Sequence, residues 1–243
     1  IVCRIVDFRA GGPYANWRGS EMIHQALSGL MYQTGRADER PLYGFGHRAY
    51  YATGVAACAS ILAALALRDA TGEGADLTVS THETAVAMSQ NLVAQYDYNG
   101  TQPVRGRYPG AVDIFRCADG WVTFYCRGDR WKAWCTALGA LDAATDPMFA
   151  GADAILRNWD RAAAMLAPHV AKLTAAEFVA RTHAARALAA RVHSLGDILR
   201  CEHLATRDFW QSVETPAGRR TILGPVFRMH GTPRAITGGA PGS

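Results

Sequence analysis

The stretch Gly19-Ser-Glu-Met-Ile-His-Gln-Ala-Leu-Ser-Gly29 sets one carboxylate, Glu21, at the start of an otherwise apolar, small-residue run. At the first turn of a helix, unpaired backbone amides and the helix dipole favour an ionised carboxylate. An ionised, desolvated carboxylate can attack a thioester carbonyl and form a mixed anhydride, the step that covalent acyl transfer needs. Acidic residues also gather in first turns for structural reasons alone, so position and residue type leave both roles open. His24, His47 and His82 lie in the same part of the chain, each a candidate for moving protons or for a structural place.

Other chemistries lack their motifs. "TGEG" at 71–74 has no phosphate-loop lysine, and it follows a helical pattern where a dinucleotide fingerprint would follow a strand. No GxSxG elbow or HExxH pair occurs. The six cysteines, Cys3, Cys58, Cys117, Cys126, Cys135 and Cys201, form no CxxC pair, so no metal site is expected and reduced, mostly buried thiols are.

The elements around Glu21 read as follows. "IVCRIVDF" alternates like a strand and breaks at "RAGGPYANWRG". Ser20 is an N-cap for a helix from about Glu21, with Met22, Ile23, Ala26, Leu27, Leu30 and Met31 on one face and Glu21, Gln25 and Ser28 on another. Tyr51 to Arg68 reads as a second helix, apolar almost all round and therefore buried. "DLTVS" is a short strand, and Ser80 with Glu83 is a capping box opening a helix over about Thr81 to Tyr98.

Composition changes at "NGTQPVRGRYPG", which places a domain boundary near Gln102. Two strand runs then flank Asp119-Gly120, a dipeptide suited to the positive backbone angles of a tight hairpin. Helices are expected over about Asp129 to Leu138, about Ala152 to Lys172, and from a cap at Thr174 with Glu177. "DFWQSVETPAGRRTILG" reads as two strands joined across Thr215–Gly218.

With 243 residues and 49% hydrophobic content, the chain can bury a sizeable core. The net charge is +4, and arginines are interspersed with acids rather than gathered on one face, so a nucleic-acid partner is not expected. The longest apolar run, Val55 to Leu67, is short and contains Cys58 and Ser60. With no charged-then-apolar leader at Ile1, the expectation is a cytoplasmic protein without a membrane span.

In combination and order, "GGPYANWRGSEMIHQALSGLMYQTG", "YYATGVAACASILAALALRDATGEGADLTVSTHETA", "DIFRCADGWVTFY" and "HLATRDFW" resemble the class III CoA-transferase family. The resemblance implies an α/β protein: part of a Rossmann-like large domain at 1–102, a smaller α+β domain at 103–200, and a return segment to the large domain at 201–243. It implies an interlocked homodimer acting on an acyl-CoA thioester and a carboxylic acid, with CoA as substrate and no resident cofactor. A carboxylate after the Gly-Pro loop would attack the acyl-CoA and pass through anhydride and thioester intermediates. Glu21 fills that position, where most members carry aspartate. Its extra methylene shifts the oxygen by roughly 1.5 Å, and misplacement on that scale can cost about 100-fold in rate.

Where many members have a glycine-rich loop closing over the thioester, this chain has Cys126-Arg127-Gly128-Asp129-Arg130, with one glycine. Arg127 and Gly128 are thus substrate-facing candidates together with His47, although surface ion pairing also suits the arginines. The glutamate of the racemase branch has no counterpart in "FYCRGDRW", which lowers a racemase or isomerase reading without removing it. A lyase on the same scaffold or a non-catalytic homologue remain as alternatives. The family also has a long segment before the Gly-Pro loop and another at the C-terminus, so the chain is expected to be a fragment or trimmed piece of a longer protein or a truncated gene product.

Overall fold

The computed structural model describes residues 1–102, 105, 111–126 and 128–232. Contacts divide the chain into two compact units, Ile1–Tyr108 and Pro109–Ser243, and group the last hairpin with the second.

The first unit runs β1 (Val2–Val6), α1 (Glu21–Leu27), α2 (Arg48–Thr71), β2 (Asp76–Ser80), α3 (Thr81–Ala87) and α4 (Gln90–Asn99). β1 and β2 pair in parallel, with Val2 opposite Asp76 and Val6 opposite Ser80. Parallel strands need a long crossover, and α1 and α2 provide it. Both strands end beside Asp7, whose carbonyl accepts from His82 N (3.1 Å) and Ser80 Oγ (3.3 Å). Ser20 caps α1 by accepting from Ile23 N (3.4 Å), and α2 stops at Gly72, whose φ of +78° suits a residue without Cβ.

Three expectations change here. α2 buries only Ala49, Thr53, Ala57 and Ala64, while Tyr51, Val55, Leu62 and Leu67 on other faces are exposed. Composition told how much surface the helix has to bury, but only one stripe meets α3, α1 and the sheet. By length and composition α2 is also the one helix among the described residues long and apolar enough to cross a membrane. The expected helix over 81–98 is two helices, because at Ser89 the backbone N–H turns to the i−3 carbonyl of Val86 (2.9 Å). Of the capping box at its start, Ser80 supplies its half, accepting from Glu83 N (3.3 Å), while Glu83 is 3.9 Å from Arg9.

The second unit contains β3 (Ala111–Cys117), β4 (Gly120–Cys126), α5 (Trp131–Leu138), α6 (Leu141–Thr145), α7 (Ala152–Arg157), α8 (Trp159–Val170), α9 (Ala175–Ala184) and β5 (Leu188–Arg191). It ends with α10 (Leu195–Leu199), α11 (Glu202–Thr206), β6 (Trp210–Thr215) and β7 (Gly218–Leu223). β3, β4 and β5 form an antiparallel sheet, and β6 and β7 form a separate hairpin. Its core is aromatic and aliphatic, with Trp134 against Phe124 (ring centroids 4.2 Å apart) and Phe178, Leu166 and Ile155 beside them.

The β3–β4 hairpin is present, but neither Asp119 nor Gly120 takes a positive φ. The turn is held from outside: Ala118 N donates to Leu173 O (2.8 Å), and Asp119 Oδ1 accepts from Ala175 N (2.7 Å). The expected helix over 152–172 breaks at Asn158, whose amide donates to Ala154 O (2.9 Å) and Met148 O (3.3 Å). Thr174 and Glu177 make a complete capping box at α9.

Candidate functional site

Glu21 points inward and is 5% exposed. Its Oε1 accepts from Ala49 N (2.8 Å) and Gln25 Nε2 (2.7 Å), and its Oε2 accepts from Tyr50 N (3.1 Å). Ala49 and Tyr50 are the second and third residues of α2, and His47, the residue in the capping position, makes no side-chain cap bond. The Glu21 carboxylate therefore caps α2 from a distant part of the chain, filling amides that the helix leaves unpaired. Burial alone would raise its pKa, but the bonds from Gln25, Ala49 and Tyr50 and the nearby His47 outweigh burial and hold it below the usual glutamate value.

A second carboxylate stands at the end of β1. Asp7 Oδ1 accepts from His24 Nε2 (3.1 Å) and Oδ2 from Gly19 N (2.9 Å). The Gly19 bond is the main reason that the Asp7 carboxyl lies below its ordinary value, with burial opposing and His24 assisting. His24 is fully buried, a carboxylate partner at Nε2 assigns a proton there, and Nδ1 is buried without a hydrogen-bond partner. A Cβ on Gly19 would stand 2.4 Å from His24 Nε2 and 2.7 Å from Asp7 Cγ, so this position requires glycine.

Tyr50 lies between these groups, its ring centroid 6.1 Å from that of His24 and 6.0 Å from that of His47. Burial and then the charges of Asp7 and Glu21 push its phenol above the ordinary value, so it keeps its proton at neutral pH.

Of the residues singled out in the sequence, Glu21 and His47 come together at the start of α2, where His47 is exposed. Gly128 belongs to the second unit and begins the 3-10 turn Gly128–Arg130. A Cβ there would stand 2.5 Å from Ala152 Cβ, so close backbone packing accounts for this glycine. Arg127 lies outside the described residues. Among the described residues, no cluster of three or more His, Cys, Asp or Glu side chains is placed to hold a metal. Sequence reasoning did not single out Asp7, Gly19 or Gln25 for the site. Gln25 had a signal, since it lies four residues after Glu21 on the same helix face.

Three donors engage the two Glu21 oxygens, out of about four lone-pair positions that a carboxylate offers, and bonds to a charged acceptor are worth about 1.5–3 kcal/mol apiece. The geometry is that of an anion fixed between Gln25 and the start of α2.

The family model of CoA-transferase family III matches residues 1–243, and the chain belongs to that family. An acetyl-CoA:oxalate CoA-transferase of Acetobacter aceti is 32% identical over 73% of this chain and 47% of its own length. A succinyl-CoA:mesaconate CoA-transferase of Haloarcula marismortui is 30% identical over 97% of this chain and 61% of its own length. The chain thus spans about half to three fifths of these curated relatives. A CAIB/BAIF family protein from Brucella suis shares the fold with a TM-score of 0.85 and 22% identity, over 99% of this chain and 64% of that one.

Proposed function

We propose that the protein containing this chain moves CoA between an acyl-CoA thioester and a carboxylic acid. The observation that carries this reading is the family match along residues 1–243. The relatives named for transfer to oxalate, mesaconate and L-malate support a short dicarboxylic acid as acceptor. Within that reading, Glu21 is the fixed anion that joins α1 to the start of α2. Covalent attack by Glu21 would consume the charge that its bonds to Gln25, Ala49 and Tyr50 rely on.

The test mixes the full protein with succinyl-CoA or acetyl-CoA and isotope-labelled oxalate, mesaconate or malate, and follows new thioesters by mass spectrometry. Formation of a labelled CoA thioester is the expected result. A folded protein that forms none with this panel overturns the transferase reading. The engagement of both Glu21 oxygens favours a second reading, in which the chain binds acyl-CoA without catalysing transfer; binding without any new thioester is its signature.

A further inference from the structure

Gln25 is fully buried, and its amide is used on both sides. Nε2 donates to Glu21 Oε1 (2.7 Å) and to Gly44 O (3.2 Å), while Oε1 accepts from Gly44 N (3.0 Å). Only one amide orientation fits these partners, because a carboxylate and a carbonyl must meet the NH2 group and a backbone N–H must meet the oxygen. Gly44 lies three residues before the residue in the capping position of α2. A Cβ on Gly44 would stand 3.1 Å from Gln25 Oε1, tight enough that the Gln25 amide would have to give by a few tenths of an ångström.

We propose that Gln25 is a positioning residue: one amide fixes where the Glu21 carboxylate stands and ties it to the Gly44 segment that leads into α2. α1 has seven residues, too few to hold its own register in water, so side-chain ties must set where its polar face lies. Glu21 contacts α2 through two backbone amides, and Gln25 reads the backbone just before that helix. Together they clamp the chain on both sides of His47. The assignment rests on the reading of Glu21 as the site's fixed anion.

The test follows the Glu21 carboxyl by carbon NMR in the full protein labelled at glutamate, its signal assigned by its loss in Glu21→Gln. In Gln25→Leu, which keeps bulk and removes the donor, the Glu21 titration midpoint moves up by about one pH unit or more. An unchanged midpoint in a folded Gln25→Leu protein overturns the proposal, even if its melting temperature falls. Should that variant not fold, Gln25→Glu reads the same geometry, because two carboxyls at this distance share one proton. The pair then has a raised pKa in the folded state, and the stability of Gln25→Glu falls as pH rises through it. A pH profile of stability parallel to that of the parent protein counts against the proposal. CoA exchange is measured separately: its absence beside a shifted midpoint sinks the transferase reading alone, and its presence beside an unshifted midpoint sinks the role of Gln25 alone.

Discussion

The two units bury different chemistry. In the second, the core is Trp134, Phe124, Phe178, Leu166 and Ile155, and its one buried polar residue among those described is Thr182. In the first, the buried set holds Glu21, His24, Gln25, Ser28, Thr53, Ser80, Thr81 and Ser89 beside Phe8 and alanines. A buried polar group costs free energy unless it is paired, so a unit organised this way places side chains at the expense of easy stability. The second unit is organised by apolar packing and the first by directed bonds, and it is the first that holds the candidate site.

Truncating Phe178 probes the apolar side of that contrast. Phe178→Ala should cost about 3–5 kcal/mol in denaturant unfolding of the second unit. The carbon signal of Glu21 in the first unit should keep its titration midpoint. A shifted midpoint would break the contrast between the units.

Gly19→Ala tests the polar side. Its Cβ would meet His24 and Asp7, and relieving the clash should cost about 1–3 kcal/mol, read as a lower melting temperature with an altered Asp7–His24 contact by NMR.

Glu21→Gln keeps shape and removes the charge that caps α2, with an expected loss of about 1–3 kcal/mol at neutral pH. The sign with pH follows from the lowered Glu21 pKa. A carboxyl depressed by folding stabilises above its unfolded value, about 4.3, and that contribution is lost as pH falls through the folded value. The melting temperature of the parent protein should therefore drop more steeply on acidification than that of Glu21→Gln. Parallel curves would remove Glu21 from the cap. The smallest effect belongs to Thr174→Ala in the second unit, about 1 kcal/mol from one helix cap, with no change at Glu21.

Local signals in the sequence carried much of the fold. The alternation of "IVCRIVDF", the Ser20 cap, "DLTVS" and the Thr174–Glu177 box all describe contacts within a few residues, and each stands in the structure. Where the deciding partner is remote, the sequence was silent or misleading. Asp119-Gly120 suggested a self-sufficient turn, but Leu173 and Ala175 hold it. Asn158 splits a continuous helical pattern by bonding to carbonyls. β5 went unforeseen because its four residues pair with β4, far back in the chain.

The site shows the same division. Glu21 was visible as a first-turn carboxylate, and that position is correct. Its function as a cap for α2 was hidden, because the partners Ala49 and Tyr50 lie 28 and 29 positions away. Gly128 drew attention as a loop glycine, whereas its requirement comes from Ala152, which only packing brings near.

We propose that Glu21 organises the site without forming a covalent bond to substrate. The most direct measurement incubates the full protein with an acyl-CoA donor, traps with hydroxylamine or borohydride, and maps peptides by mass spectrometry while CoA exchange is followed in parallel. Exchange with an unmodified Glu21 peptide is the expected result; a hydroxamate or reduced adduct on Glu21 would show covalent attack and overturn the proposal.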